Sequence, residues 1–324
     1  MDDRGTLADK LMSPAEAVSR FVKDGCQLAL GGFTINRNPM ALVYEIVRAR
    51  RRGLHLVCHS NGQALDVLIG AGCVARVEIA YGGNGRFAPT CIRFRTAVER
   101  GEIEVEDYSN NQMSLRFLAG ALGVPFIPTT CGLATDIVRL SGFSSQTRAA
   151  HKLPAEKLIL MDDPFDDGRQ VALLPALTPD VCLLHAQTVG DRGTVRIKGL
   201  TFADIEQAKA ATSVIVSCEE IVPEEELRRD PDQNCLPGFL VDAVVLAPHG
   251  AHPTACRSFY DYDVKHLNLY KAVAKDDEQF RRYLDEWVYG CADFEQYLLK
   301  VGAATLQTIK ADPVSGYAPG MDRT

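Results

Sequence analysis

Four short stretches of this 324-residue chain combine glycine with neutral hydrogen-bonding side chains. They are Gly31-Gly32-Phe33-Thr34, His59-Ser60-Asn61-Gly62, Tyr81-Gly82-Gly83-Asn84-Gly85 and Asp107-Tyr108-Ser109-Asn110. Ser, Thr and Asn donate and accept hydrogen bonds without carrying charge, and glycine lets a ligand approach backbone amides closely, so such stretches suit a carbonyl or a carboxylate. The plainer reading of each glycine pair is a turn that needs positive φ. Four such loops within the first half of the chain favour a binding wall.

The remaining reactive residue types give weaker patterns. Glu219 and Glu220 follow the apolar run Thr212-Ser213-Val214-Ile215-Val216-Ser217-Cys218, and a carboxylate at a strand end is a candidate nucleophile or base. Adjacent strand residues point to opposite faces, so at most one of the two faces a site. His249 and His252 offer two imidazoles on a Pro-flanked loop without a third ligand nearby; packing at the surface or an interface is favoured over metal binding. Gly31-Gly32 lacks both the G-x-G-x-x-G spacing and a following acid of a dinucleotide fold, and no phosphate-binding P-loop is present. Ser141-Gly142-Phe143-Ser144 is not a nucleophile elbow. Arg48, Arg50, Arg51 and Arg52 read as a solvated helix end.

The elements that must carry these loops are legible from periodicity. Continuous apolar runs of strand length begin near Cys26, Leu54, Val77, Lys157, Val181, Ser213 and Val241, the signature of strands buried on both faces. Helical patterns lie between several of them, at residues 39–51, 112–122 and 202–211. An earlier helix opens at Ser13-Pro14-Ala15-Glu16, with Ser13 as cap and Glu16 reaching back, and is expected to end near Asp24-Gly25. Strands alternating with helices predict an α/β fold with an open, mostly parallel sheet and flanking helices. Residues 276–306 read as a helical cover packing on the sheet through Phe280, Tyr283, Leu284 and Trp287, with a loose tail over 313–324. The whole of 1–324 is expected to form one domain. In such sheets ligands sit beyond the carboxyl ends of the strands, where all four loops fall.

Composition narrows the function classes. With 35 basic and 42 acidic residues the formal charge is −7, leaving no cationic excess for a nucleic-acid backbone. No window reaches the roughly 18 apolar residues of a membrane helix and the N-terminus has no apolar core segment, so a cytoplasmic location is expected. The ten cysteines are scattered without a C-x-x-C pair and are expected to be reduced. No metal site is expected.

Asp24 to Pro39, "DGCQLALGGFTINRNP", resembles the signature of the first subunit of family I coenzyme A transferases, with Arg37 where that pattern usually has glycine. The resemblance extends along the chain: "EDYS" from Glu106, "ALGVPFIP" from Ala121, "GTVRI" from Gly193, "CEEI" from Cys218, "RRDP" from Arg228, "VDAVVLAPHGAHP" from Val241 and "YDYD" from Tyr260. It implies an A-type (alpha) subunit that transfers CoA from a short, dicarboxylic acyl-CoA to a carboxylic acid, with CoA as substrate and no permanently bound cofactor. It implies a homologous B subunit, in a heterodimer or higher oligomer, whose Ser-Glu-Asn-Gly loop supplies the nucleophilic glutamate. The corresponding loop here, His59 to Gly62, has no glutamate, so no catalytic residue is expected in this chain. Gly31, Gly32, Phe33, Thr34, Ser60, Asn61, Gly62, Gly82, Gly83, Asn84, Ser109 and Asn110 are the expected substrate- and CoA-binding residues, with the thioester carbonyl so near Gly31-Gly32 that any Cβ would intrude. The alternative is a component of a CoA-ester hydrolase or decarboxylase; hydrolases of this kind carry an acid in the loop where Ser109-Asn110 stands. A metabolite-sensing module is a third, less favoured class.

Overall fold

The computed structural model describes residues 7–321 apart from Lys152. Its main sheet is built from β1 (Gln27–Leu30), β2 (Leu54–Asn61), β3 (Val74–Gly82), β4 (Glu104–Asp107), β8 (Val181–Gly190), β10 (Ser213–Val222) and β12 (Ala243–Leu246). These seven are parallel and run in the order β12-β10-β8-β1-β2-β3-β4. β9 (Val195–Arg196) and β11 (Asn234–Leu236) extend the far end of β8 as antiparallel additions. The chain moves one way from β1 to β4 and the other way from β8 to β12. The strand order therefore reverses between β1 and β8, the place where open α/β sheets bind ligands.

The continuous apolar strands are buried on both faces, as the sequence predicts. Leu28, Leu30, Leu183 and Ile215 join one core with the helices Pro14–Phe21, Met40–Arg48 and Gln63–Gly70. Ala29, Cys182, Leu184 and Val216 join the other, with Asn110–Leu122 and Asp204–Ala210. The helix Pro14–Phe21 carries the expected capping box between Ser13 and Glu16, but ends three residues before Asp24. All ten cysteines are free.

Three expectations need correction. The run from Lys157 is not a strand of the main sheet: β6 (Ile159–Asp162) is an exposed edge of a separate antiparallel sheet, ordered β5-β7-β6, with β5 (Phe126–Thr129) and β7 (Gln170–Pro175). The C-terminal cover is three helices, Asp277–Leu284, Phe294–Val301 and Ala303–Ile309, with one π turn at Asp285–Tyr289 after the first. Phe280, Tyr283 and Leu284 do bury one face. They rest on a helical layer, with Tyr283 against Tyr44 and Tyr270, rather than on the strands. The tail is pinned where described: the Ala318 amide donates to Asp261 (2.9 Å) and the Asp312 amide to the Tyr317 carbonyl (2.9 Å). Residues 322–324 of the expected loose tail, and 1–6 of the N-terminus, lie outside the described residues.

Candidate active site

The four glycine and amide stretches lie side by side, because they span the carboxyl ends of β1, β2, β3 and β4, which are neighbours in the sheet. Side chains stitch them together. Asn61 donates to the Gly31 carbonyl (3.2 Å) and Ser60 to Asn110 Oδ1 (2.8 Å), while the Gly83 amide donates to the Asn61 carbonyl (3.0 Å). Asn84 donates to Gln63 (3.0 Å), at the start of the helix that Gly62 caps.

The glycines answer to the chain itself, which corrects the expectation that a ligand forbids a side chain there. A Cβ on Gly31 would meet Leu184 at 2.4 Å. Gly32 has φ +79, and a Cβ there would strike the carbonyls of Asn36 and Arg37 at 2.5 and 2.6 Å. Their amides are engaged too, Gly31 with the Leu183 carbonyl and Gly32 with Asp204 Oδ1, both at 2.9 Å. Gly62 and Gly83 are crowded in the same way by Asn84, Thr34 and Pro89. Of the twelve predicted residues, Phe33, Ser109 and Asn110 reach solvent. Ser60, Asn61, Gly62, Gly82, Gly83 and Asn84 are buried braces behind that surface, and Thr34 is 8% exposed. Ser109 also caps the helix Asn110–Leu122 through a capping box with Gln112. Since Asn110 Oδ1 accepts from Ser60, its NH₂ group is oriented and has no acceptor among the described residues.

At the reversal of strand order stands a buried ion pair that sequence reasoning missed. Arg37 Nη1 lies 2.6 Å from Asp204 Oδ2, with both side chains under 5% exposed. The guanidinium N–H groups point at the carbonyls of His185 and Leu200 (both 3.0 Å), so the pairing with Asp204 is coulombic rather than an aligned hydrogen bond. Asp204 in turn holds the Gly32 amide. The substitution of Arg37 into a position where glycine is usual was the available signal. Beside the pair, Phe33 stacks on Phe202 with ring centroids 4.3 Å apart, and His59 lies 6.0 Å from Phe33. Burial holds the His59 imidazole below its usual range, opposed by the nearby Asp204 charge, and its buried Nδ1 has no partner among the described residues.

Glu219 is the inward-facing member of its pair; Glu220 is exposed and accepts from Thr188 (2.9 Å). Glu219 accepts from Tyr260 (2.5 Å), from the His249 amide (2.6 Å) and from His185 Nε2 (2.6 Å), whose Nδ1 meets Ser217 at 2.9 Å. A polar His185 inside the apolar run of β8 was the readable hint. The ligand atoms of His185, Glu219 and Cys256 lie within 4.8 Å of one another. Two of the three already bond each other, and burial, helped by Glu219, pushes the Cys256 thiol well above its usual range, so the cluster acts as a strut. His252 is buried, against the surface expectation: its ring bonds Tyr297 (2.6 Å) and Asp263 (3.1 Å). Glu106 on β4 is likewise held, by Arg148, Ser141, Tyr108 and the amides of Gly142 and Phe143.

Next to the Arg37–Asp204 pair opens a cleft of about 370 Å³ lined by Arg37, Lys198, Leu200, Phe202, Arg257 and Tyr260. Arg257 lies over the Tyr317 ring at 4.7 Å, and no helix in the described residues is long and apolar enough to cross a membrane.

Residues 11–247 match the family model described as coenzyme A transferase. The chain is 40% identical over 309 residues to the A-type subunit of glutaconate CoA-transferase from Acidaminococcus fermentans, covering 95% of this chain and 97% of that one. The crystal structure of glutaconate coenzyme A-transferase from that organism superimposes with a TM-score of 0.93 at 40% identity, over 97% of this chain and 98% of the other. The A-type subunit of 3-oxoadipate CoA-transferase from Pseudomonas knackmussii is 33% identical over 90% of this chain and 98% of its own length. A cholesterol ring-cleaving hydrolase subunit from Rhodococcus jostii is 29% identical over 90% and 96%. A matched family model, a whole-length relative and a shared open sheet whose strand-end loops converge together place this chain in the coenzyme A transferase family.

Proposed function

We propose that this chain is the A-type subunit of a CoA-transferase that exchanges CoA between a short acyl-CoA, dicarboxylic in the favoured case, and a carboxylic acid. The observation that carries this reading is the state of the carboxylates. Glu106, Asp204 and Glu219, the buried acids around the converging loops, are each bonded within this chain. A thioester seated against these loops therefore takes its nucleophile from another polypeptide, the homologous B subunit.

In the exchange, an oxygen of the partner's glutamate attacks the acyl carbonyl, the C–S bond breaks, and CoA leaves as thiolate from a mixed anhydride. The thiolate then attacks the glutamyl carbonyl, the acyl group departs as its carboxylate, and CoA is held as an enzyme thioester that the acceptor acid discharges by the reverse steps. The role of this chain is to position. The oriented Asn110 amide and the Thr34 hydroxyl are neutral donors for carbonyl or carboxylate oxygen, and the stack of Phe33 on Phe202 is an apolar wall for the acyl chain or pantetheine. Lys198 and Arg257 in the adjoining cleft suit the CoA phosphates. The locked Glu106, the ion pair of Asp107 with Lys157 (3.2 Å) and the cap role of Ser109 favour transfer over hydrolysis, since the acids at the end of β4 are engaged within this chain and the residues after it are neutral.

The test is a CoA-exchange assay across short acyl-CoA and acid pairs with this chain alone, the companion alone and the two together. Exchange only in the mixture supports the reading; hydrolysis without an acceptor acid in the mixture overturns it in favour of the hydrolase.

A further inference from the structure

The small antiparallel sheet carries one wholly apolar face that this chain covers only in part. Register pairs Phe126 with Pro175, Pro128 with Leu173, Leu173 with Ile159 and Val171 with Met161, so these side chains share one face of β5-β7-β6. On the opposite face Ala172 and Leu174 are fully buried, and the helix Asn110–Leu122 packs against β5 and β7. An antiparallel sheet with one wet face normally alternates apolar and polar residues. Here the outer face reads Phe, Pro, Ile, Met, Val, Leu and Pro without a polar residue; Val171 on the central strand is buried at 8%, but around it Ile159 is 56%, Phe126 48% and Met161 40% exposed. The run Ile159-Leu160-Met161 has the composition of a strand buried on both sides while every one of its residues is exposed. A large uncovered apolar face marks an interaction surface.

Its position says what covers it. β5 leads directly into Cys131, whose carbonyl accepts from Gln112 (3.0 Å) and whose thiol meets the Ser109 hydroxyl (3.5 Å), so the sheet is tied to the loop after β4. A chain seated on the outer face and extending past the Thr129 end of β5 comes up to the loop that presents Asn110. The acids there, Glu106, Asp107, Asp204 and Glu219, are each engaged within this chain, and the transferase relatives matched over nearly their whole length are each named as a subunit.

We propose that the outer face of the β5-β7-β6 sheet is the docking surface for the carboxylate-bearing second subunit, seated so that its reactive side chain reaches the carboxyl ends of β1 to β4. The inference rests on the two-subunit reading of the function and adds where the partner sits.

The test compares Ile159→Asp and Met161→Glu, both at exposed positions, with the wild-type chain, each co-expressed with the companion chain, by size-exclusion chromatography with light scattering. Circular dichroism and thermal unfolding of each variant alone establish that it folds. The expected result is a normally folded variant whose complex dissociation constant rises at least tenfold, with CoA exchange lost in proportion and recovered at high companion concentration. An intact complex in both variants overturns the proposal, even where wild-type exchange shows the functional reading to be sound. Self-association of the chain alone, abolished by the same substitutions while the mixed complex persists, also overturns it and assigns the face to a second copy. Should the wild-type complex form but exchange no CoA, the functional reading fails while the binding data still decide the surface.

Discussion

Replacing Asp204 by alanine tests whether the Arg37 to Asp204 pair holds the loop after β1 in place. The substitution leaves a buried guanidinium without its counter-charge and the Gly32 amide without an acceptor. Removing one partner of a buried pair costs about 3–5 kcal/mol, and orphaning a buried donor about 1–3 kcal/mol. Arg37 retains its bonds to the carbonyls of His185 and Leu200, which pulls the first figure to its lower end. The expected loss is about 4 kcal/mol, a large share of a total stability on the order of 5–15 kcal/mol. Asp204→Asn keeps the Oδ1 acceptor but not the charge, and should lose about half as much. Urea unfolding of the isolated chain, followed through its single tryptophan, Trp287, measures both. The double variant Arg37→Met, Asp204→Leu removes charge and counter-charge together and should recover stability relative to Asp204→Ala. A midpoint for Asp204→Ala within about 1 kcal/mol of wild type, or a double variant worse than either single one, would refute the reasoning.

Gly32→Ala should unfold or aggregate rather than merely inactivate the protein, because it adds left-handed strain of about 1–2 kcal/mol to contacts of 2.5 and 2.6 Å with backbone carbonyls; a variant of wild-type stability lacking only turnover would restore a ligand-facing role for that glycine. Tyr260→Phe removes a donor to Glu219 and the acceptor of the Ala251 amide, and should lower the thermal midpoint by an amount equivalent to about 1–3 kcal/mol, with an unchanged midpoint counting against the Glu219 strut. Burial, with repulsion from His252, pushes the His266 imidazole down to about 3. The unfolded chain thus takes up that proton near pH 6.5 and the folded chain only near 3, so this residue costs stability progressively as the pH falls below about 6.5. His266→Gln should flatten the thermal midpoint between pH 6 and 4, and a slope as steep as wild type would exclude this residue as its source.

The parallel sheet was readable because its strands are buried on both sides: Leu28-Ala29-Leu30 and Val181 to Ala186 feed two cores at once and leave no polar interruption except His185. The four strand-end loops were readable by their composition, and neighbouring strands brought them together. What composition could not separate is a residue that touches a ligand from one that braces the loop behind it. Asn61 and Asn84 look like donors to a substrate, yet bond the Gly31 carbonyl and Gln63, because such partners are set by tertiary contacts between distant segments. Arg37 finds Asp204 across 167 positions, a separation that local patterns do not span. Ile159-Leu160-Met161 misled for an instructive reason: its apolar run does signal burial on both faces, but on the docking proposal the second cover belongs to the assembled protein rather than to this chain.

The account stands on the reactive carboxylate belonging to another polypeptide. Intact-mass spectrometry of both chains after incubating the assembled complex with acyl-CoA, in the absence of acceptor acid, reads this directly. The account predicts a CoA thioester adduct on the companion chain and none on this one; an adduct on this chain, at Glu219 or any other carboxylate, would contradict it.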